Sequence, residues 1–279
     1  MSDTEILRYA AFTTDPAGGN LAGVVLDASA LDAAAMLAIA ADIGYSETAF
    51  VIAADVPGRR FRLRYFSPRA EVAFCGHVTV ATAVALAERI GPGDLTFDTP
   101  AGEIVTATAI GPARATMTSV PTRSRPATDD ELTTTLAALR WSADDLDPAL
   151  PPHVAYGGNE HLVLAVADRA RLADLAYDFD GLADVMTRHG WTTVHLVWRE
   201  TDDRWHARDP FPVGGVVEDA ATGAAAAAFG GYLRTIGRVP DGPVTIRQGE
   251  DMGRPSELVV DVDATDPRVR VTGAAVPVG

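Results

Sequence analysis

The chain has 279 residues, 47% of them hydrophobic, and a formal net charge of −15. This composition supports folded domains with full cores and argues against disorder. The acidic balance argues against nucleic-acid binding, because an acidic surface repels phosphate backbones. All 23 basic residues are arginines, and the absence of lysine excludes both a pyridoxal-phosphate Schiff base and a Walker A phosphate loop.

Targeting and membrane signals are also absent from the sequence. No run approaches the roughly 18 apolar residues that span a bilayer. Residues 1–5 lack the basic and apolar regions of a signal peptide. The single cysteine, Cys75, excludes an internal disulfide and is typical of a reducing compartment. We therefore expect a cytoplasmic protein with no membrane contact.

The first 120 residues alternate short apolar segments with turns and contain two helices. Ser29 is predicted to cap a helix over 30–43, which ends at Gly44. A second helix, rich in small residues, is predicted to begin within 74–79 and to end near Ile90. Apolar alternation and turn residues predict strands at 7–12, 21–26, 46–53, 61–66, 95–99, 103–109 and 113–120.

The second half repeats this outline after a polar, proline-bounded stretch at 121–126, which predicts a linker. Short helices are predicted within 172–189, a loop over 210–219 and a second small-residue helix over 222–236. Strands are predicted at 162–166, 194–199, 204–208, 244–247, 258–262 and 269–272.

The two small-residue helices indicate the architecture. A helix as rich in alanine as 224–228 can be approached closely on all sides, which suits a central position inside a curved sheet. We expect an α+β fold with two similar domains, 1–120 and 127–279, each a mostly antiparallel sheet wrapped around its helix. The last strand is expected to be able to pack back on the first domain. Helix N-termini that face one cleft would present N–H groups to a carboxylate.

Glu47 is a candidate acid/base because it is an acid within the otherwise apolar, strand-like stretch 44–51. Burial would raise its pKa toward neutrality, as a reversible proton carrier requires. The competing interpretation is a glutamate on the solvent face of an edge strand, and periodicity alone favours that one.

Cys75 and His77 flank Gly76 at the predicted start of the second helix. Cys75 could be a thiolate with a lowered pKa, but a small buried apolar side chain is the favoured interpretation. Because neighbours two positions apart in a strand or turn rarely face each other, a Cys-His pair is not expected. His77 is equally compatible with a helix-capping or core imidazole and with a catalytic contact.

Asp219 precedes Thr222-Gly223, so it could cap the second small-residue helix, bind a substrate hydroxyl or amine, or do both. The other five histidines form no H-x-x-x-H or Cys/His motif, so no metal site is expected. No G-x-G-x-x-G follows a strand, which argues against a dinucleotide cofactor.

These residues together resemble one protein family. The motifs are Phe12 with Gly19-Asn20, Ser46 to Val51, Cys75-Gly76-His77, Glu218-Asp219 with Thr222-Gly223, and Gln248-Gly249 with Met252 to Pro255. In order and spacing they resemble the PhzF-like family of phenazine biosynthesis, which has the diaminopimelate-epimerase fold. The resemblance covers nearly the whole chain.

The resemblance implies a two-domain isomerase with an interdomain site, no cofactor, a small carboxylate substrate and a homodimeric state. It implies that Glu47 is the general acid/base and that His77 and Asp219 contact the substrate. It also implies a carboxylate site. The residues implied to line or adjoin that site are Asn20, Cys75, Gly76, Thr222 and Gly223.

The sequence departs from the family pattern at three positions. Ala220 replaces a proline, Ala224 replaces a serine hydroxyl at the anion site, and Val78 replaces a proline or alanine. A substrate different from the phenazine intermediate is therefore expected. The related racemases use two cysteines; Cys75 matches the first, but the second falls on Ala220, so a two-thiol mechanism is not available.

A one-base mechanism remains, in which Glu47 removes a proton and returns it to another carbon on the same face. Two alternatives stay open. One is an epimerase or lyase in which Cys75 acts with Glu47, and the other is a small-molecule binding protein that has lost catalysis.

Overall fold

The computed structural model describes residues 4–109 and 113–279. Met1 to Asp3, part of the N-terminal stretch considered above, and residues 110–112 lie outside the described residues. The chain divides into two compact units: unit 1 is Met1–Val120 with Arg270–Gly279, and unit 2 is Pro121–Val269. No helix in the described ranges combines the length and apolarity needed to cross a bilayer.

The described residues form seventeen strands and six α-helices. The strands are β1 Leu7–Ala11, β2 Asn20–Val25, β3 Glu47–Asp55, β4 Arg60–Phe66, β5 Glu71–Val72, β6 Gly93–Thr99, β7 Gly102–Ala109, β8 Arg114–Thr118, β9 Arg123–Pro126, β10 His153–Tyr156, β11 Glu160–Ala165, β12 Trp191–Arg199, β13 Arg204–Pro210, β14 Glu218–Asp219, β15 Val244–Gln248, β16 Ser256–Val262 and β17 Val269–Pro277. The helices are α1 Ala33–Ile43, α2 Gly76–Ile90, α3 Asp129–Leu139, α4 Arg169–Ala173, α5 Phe179–His189 and α6 Gly223–Thr235.

Strand pairing in unit 1 closes on itself. β1 pairs antiparallel with β2, β2 parallel with β3, β3 antiparallel with β4, and β4 parallel with β6. β6, β7 and β8 follow antiparallel, and β17 pairs antiparallel with both β8 and β1. The two parallel pairs need crossovers, which α1 and α2 supply. The last strand therefore belongs to unit 1.

Helix α2 lies at the centre of this ring of strands. It contacts β1, β2, β3, β7 and β8, and every residue from Gly76 to Leu86 is buried. Its small side chains explain this position, because Ala, Gly, Thr and Val allow strands to approach a helix from several sides. The helix ends at Gly91, whose φ of 81° lies in the region that glycine adopts without strain.

Unit 2 repeats the pairing order around α6. β9, β10 and β11 are antiparallel neighbours, β11 pairs parallel with β12, β12 antiparallel with β13, and β13 parallel with β15, which pairs antiparallel with β16. Helix α6 is buried from Gly223 to Leu233. A Cβ built on Gly157 would lie 2.6 Å from the Ala228 nitrogen, so the turn between β10 and β11 touches the helix backbone.

Several predicted boundaries differ from the structure. Ser29 does not cap α1; the N-cap is Asp32, whose Oδ1 accepts a hydrogen bond of 2.8 Å from the Ala35 N–H. Within the predicted linker 121–126, residues 123–126 form strand β9, which pairs with β10. Strand β10 and helix α3 were not predicted, although Thr128 and Glu131 form a capping box that marks the start of α3.

Candidate active site

Glu47 begins β3, which pairs with β2 on one side and β4 on the other. It therefore lies on an inner strand, and the edge-strand interpretation of this residue is wrong. Only 6% of Glu47 is exposed. Burial raises the pKa of its carboxyl, while hydrogen bonds with Ser46 and Cys75 act in the opposite direction. Burial is the largest of these effects, so the pKa of the Glu47 carboxyl lies above that of an exposed glutamate.

His77 lies against Glu47 at the start of α2. Its Nε2 is 3.7 Å from Glu47 Oε2 and 3.4 Å from Ser46 Oγ, and its Nδ1 is 3.1 Å from Asn20 Nδ2. Burial lowers the pKa of His77 to about 3, against a weaker opposing effect of a backbone hydrogen bond at Leu21. The imidazole is therefore neutral near pH 7, and its contact with Glu47 is not an ion pair.

Cys75 is the N-cap residue of α2 and is 7% exposed. Its Sγ lies 3.2 Å from His77 Nδ1. The expectation that these two side chains would not face each other is wrong, because extended backbone at Cys75 is followed at once by the helical turn that contains His77. The thiol is buried, but it contacts the imidazole and the Glu47 carboxyl rather than apolar groups alone.

The first N–H groups of α2 are not used within the helix. Cys75 forms no side-chain capping bond, and the Thr79 N–H is the first that bonds back, to the Cys75 carbonyl. Gly76, His77 and Val78 occupy the first helical positions, where N–H groups have no partner within the helix. Asn20, Glu47, Cys75, Gly76 and His77 thus come together in unit 1.

Three of these side chains also bring metal-binding atom types together, which the sequence did not predict. A carboxylate oxygen of Glu47, Cys75 Sγ and a nitrogen of His77 all lie within 4.8 Å of one another, and all three residues are buried. Searching the sequence for spaced Cys/His motifs missed the group because its carboxylate comes from a strand 28 residues before the cysteine.

The predicted residues of unit 2 form their own cluster at the N-terminus of α6. Thr222 Oγ1 donates to Asp219 Oδ2 at 2.7 Å. Asp219 is therefore not the helix cap; Thr222 occupies that position and Gly223 begins the helix. Both Asp219 and Thr222 are at least nine-tenths buried.

Gln248 holds this cluster, a role the sequence did not predict although the residue belongs to one of the resembling motifs. Its Nε2 donates to the Asp219 carbonyl at 2.9 Å and to Thr222 Oγ1 at 3.0 Å. Its Oε1 accepts from the Thr222 N–H at 3.1 Å. One buried amide therefore satisfies three groups of the loop before α6 and fixes its conformation.

Arg208 and Glu218 form a second supporting contact that sequence reasoning missed. Arg208 Nε and Nη2 donate to the two Glu218 oxygens at 2.9 and 2.6 Å, and Nη1 donates to the Ala173 carbonyl at 2.7 Å. The pair is almost fully buried. Because Glu218 directly precedes Asp219, this fork fixes the short strand that carries Asp219.

Another buried polar network lies in unit 2. His195 Nδ1 is 3.0 Å from Asp209 Oδ2, and Thr193 Oγ1 donates to Asp209 Oδ1 at 2.8 Å and lies 2.8 Å from His161 Nδ1. All four side chains are at most 1% exposed. Burial, and to a smaller extent the nearby His195, lowers the pKa of His161 to about 3.

Comparison with known proteins places the chain in a family. Residues 9–279 match the PhzC-PhzF model, described as phenazine biosynthesis-like protein. An uncharacterized isomerase of Mesorhizobium japonicum is 33% identical over 305 residues, covering 100% of this chain and 98% of the relative. A trans-2,3-dihydro-3-hydroxyanthranilate isomerase of Pseudomonas fluorescens is 31% identical over 277 residues, covering 96% and 95%.

Solved structures agree on the fold. A PhzF-family phenazine biosynthesis protein of Bacillus anthracis superposes with a TM-score of 0.83 at 27% identity, covering 98% of this chain and 96% of that one. A probable proline racemase of Agrobacterium radiobacter shares the fold at 14% identity, with a TM-score of 0.69 and coverage of 98% and 91%. The predicted α+β, diaminopimelate-epimerase-like fold is confirmed. The chain belongs to the PhzC-PhzF family of phenazine biosynthesis-like proteins and is an isomerase.

Proposed function

We propose that this isomerase moves a proton within a small carboxylic acid, with Glu47 as the single acid/base and without a cofactor. The observation that carries the proposal is the buried Glu47 carboxyl with its raised pKa, which lies 3.7 Å from the neutral His77 imidazole at the N-terminus of α2. A base works best when its pKa lies near the operating pH, and burial moves a carboxyl in that direction.

The proposed reaction is an isomerisation, so the substrate and the product contain the same atoms. The Glu47 carboxylate accepts a proton from a substrate carbon, so that a C–H bond breaks, an O–H bond forms and the electron pair spreads into an adjacent double bond. The same carboxyl then returns the proton to another carbon, and the double bond has shifted. His77 contacts the substrate as a neutral hydrogen-bonding group, since its lowered pKa keeps it from competing for the proton.

The substrate carboxylate is proposed to bind at a helix N-terminus, either at Gly76 of α2 with the Asn20 side chain beside it, or at Gly223 of α6 with Thr222 beside it. The N–H groups of a first helical turn and the positive end of the helix dipole favour anions. Asp219 is proposed to bind a hydroxyl or amine of the substrate. The Pseudomonas fluorescens relative acts by its name on trans-2,3-dihydro-3-hydroxyanthranilate. Since Ala224 lacks the family hydroxyl, we expect the preferred substrate here to differ from that acid.

An epimerase using Cys75 with Glu47 is the second candidate, favoured by their direct hydrogen bond. The hydrogen bond between Cys75 and Glu47 also argues against an epimerase. Inversion at a carbon needs a donor and an acceptor on opposite faces, whereas two groups that touch each other approach a substrate from one side. The one-base mechanism therefore fits the contact better. Full activity of Cys75→Ala would remove the second candidate.

The test is proton NMR in D2O with a panel of small cyclic, dienyl, amino and hydroxy acids that includes the relative's named substrate. Wild type should shift a double bond or incorporate deuterium in at least one acid. Glu47→Gln should lose this activity while still binding that acid. Glu71→Gln, which alters a more exposed glutamate of the same unit, is the matched control. Undiminished turnover by Glu47→Gln would refute the mechanism.

A further inference from the structure

We propose that Glu47, Cys75 and His77 form a binding site for Zn²⁺, and that the bound ion blocks proton transfer at this site. The three side chains offer an oxygen, a sulfur and a nitrogen within 4.8 Å of one another. This donor set suits Zn²⁺, which binds carboxylate, thiolate and imidazole ligands, and it does not suit Mg²⁺ or Ca²⁺, which need shells of oxygen ligands.

The distances fit a tetrahedral ion. His77 Nε2 lies 3.9 Å from Cys75 Sγ and 3.7 Å from Glu47 Oε2. Usual Zn–S and Zn–N bonds at the tetrahedral angle separate sulfur and nitrogen by about 3.6 Å, and nitrogen and oxygen by about 3.4 Å. The two observed separations exceed these values by about 0.3 Å, and the sulfur–oxygen separation is under 4.8 Å, so side-chain adjustment would bring the three atoms around one ion.

Charge and surroundings also fit. The Glu47 carboxylate and the Cys75 thiolate together carry a charge of about −2, which cancels the charge of Zn²⁺. Because the bound cluster is neutral, burying it costs less free energy than burying a net charge. Asn20 Nδ2 lies 3.1 Å from the other imidazole nitrogen, Nδ1. When Nε2 binds the ion, Nδ1 carries the proton, and the Asn20 amide would turn so that its oxygen accepts from Nδ1–H, as the outer partner of a histidine ligand does. Three protein ligands leave a fourth position open, as in zinc sites that accept water or a small molecule.

Inhibition follows from the ligand positions. A metal ion on Glu47 occupies the lone pairs that would accept the substrate proton, and it fills the space beside His77. This consequence rests on the proposed function of Glu47, but the binding itself does not. The site therefore predicts an isomerase that is active without metal and inhibited by Zn²⁺ at low concentration.

The binding test uses Co²⁺ as a spectroscopic substitute for Zn²⁺ on chelator-treated, full-length protein without substrate. We expect one Co²⁺ per chain, intense visible bands of a tetrahedral ion, and a thiolate-to-cobalt charge-transfer band in the near ultraviolet. Added Zn²⁺ should bleach these bands. Calorimetric titration with Zn²⁺ should show an affinity that falls by at least about 10–100-fold in Cys75→Ala and Glu47→Gln.

The matched control is His206→Gln. His206 belongs to a different histidine–carboxylate group, with Nδ1 2.9 Å from Glu250 and Nε2 3.1 Å from Glu200. This variant should keep the cobalt spectrum and the zinc affinity of wild type. Loss of the bands in His206→Gln, stoichiometric binding unchanged in Cys75→Ala, or no charge-transfer band in wild type would each overturn the site.

Cobalt binding and turnover, measured on the same variants, test the metal site and the acid/base role of Glu47 separately. If Glu47→Gln kept full turnover but lost cobalt binding, the acid/base proposal would fail and the metal site would stand. If Glu47→Gln lost turnover while wild type bound no ion, the opposite would hold. Inhibition by Zn²⁺ of both wild type and His206→Gln, with one bound ion per chain, would support both.

Discussion

The two units build the same arrangement of strands and place different chemistry in it. In unit 1, the order of pairing runs β1, β2, β3, β4, β6, β7; in unit 2, it runs β10, β11, β12, β13, β15, β16, with parallel pairs at the same places. Each has one buried, small-residue helix, α2 or α6, before the second parallel partner. The shared topology therefore does not by itself determine the site chemistry.

The difference lies in a few side chains near the helix N-termini. Strand β3 begins with Glu47, whereas its counterpart β12 begins with Trp191. The N-terminus of α2 carries Cys75 and His77 without a capping bond, while the loop before α6 is fixed by the Gln248 amide. Unit 1 thus holds the proposed proton carrier beside a helix N-terminus, and unit 2 holds a set of buried groups fixed by hydrogen bonds.

A second pair of counterparts shows what burial does to an identical contact. Arg64 pairs with Glu71 across β4 and β5, as Arg208 pairs with Glu218 across β13 and β14. The side chains of the first pair are 26% and 37% exposed, and those of the second are 10% and 3% exposed. The same residue types should therefore differ strongly in what their loss costs.

Replacing each arginine by methionine tests this difference and should give the largest change in stability. Arg208→Met should lower the free energy of unfolding by about 3–5 kcal/mol, because it leaves the Glu218 carboxylate buried without its partner. Arg64→Met should cost only about 0–1 kcal/mol, since water still reaches both side chains. Urea unfolding of the two variants beside wild type measures both, and equal losses would contradict the comparison.

Acid sensitivity should be shared by the units, because each contains a buried histidine whose pKa is lowered from 6.5 to about 3, His77 in one and His161 in the other. A lowered folded-state pKa means that stability present above pH 6.5 is lost as the pH falls toward 3. Each group should remove on the order of a few kcal/mol across that window.

Unfolding free energies measured at several pH values should therefore fall less steeply toward acid in His77→Gln and in His161→Gln than in wild type. Comparing slopes rather than absolute values separates the titration from any loss of packing. An unchanged slope in either variant would show that its histidine is not kept neutral by burial.

Gln248→Ala should destabilise unit 2, because the Gln248 side chain holds the loop before α6. It leaves the Thr222 N–H and the Asp219 carbonyl without the amide that binds both, so we expect a loss of about 1–3 kcal/mol in stability. Substrate KM should rise more than kcat falls, because the proposed role of this loop is binding. A large fall in kcat with unchanged KM would instead give the loop a part in the chemical step.

Glu47→Gln should, unlike the other variants, gain stability above acidic pH. Below the ordinary glutamate pKa of 4.5 the two proteins should be alike, since both side chains are neutral. As the pH rises through the raised pKa of Glu47, wild type must ionise a buried carboxyl and should become less stable than the variant. Thermal unfolding between pH 4 and 9 measures the sign of the difference, and a variant that is less stable than wild type above the raised pKa would contradict the burial argument.

The sequence predicted the parts of the molecule that local patterns determine. Alternation found most strands, and small-residue composition with Gly91 found α2. Strand β9 was missed because its arginines and proline are typical of a linker, and only pairing with β10 makes it a strand. Helix α3 could have been found from its Thr128–Glu131 capping box.

The site was predictable only in part for a similar reason. Glu47 stood out as an acid among apolar residues, yet its burial depends on β2 and β4 on either side. Gln248 and Arg208 act through partners 26–29 and 10 residues away, respectively. No local pattern reports such contacts, because they exist only once the strands are paired.

The most direct test of the account compares solvent-deuterium incorporation by wild type, Glu47→Gln and Asp219→Asn with the best acid from the panel. Glu47→Gln should lose about 10²–10⁴-fold in kcat, the usual contribution of a positioned acid/base, while its affinity for the acid stays near that of wild type. Asp219→Asn should mainly raise KM. Deuterium incorporation that persists in Glu47→Gln and disappears in Asp219→Asn would contradict the assignment of proton transfer to Glu47.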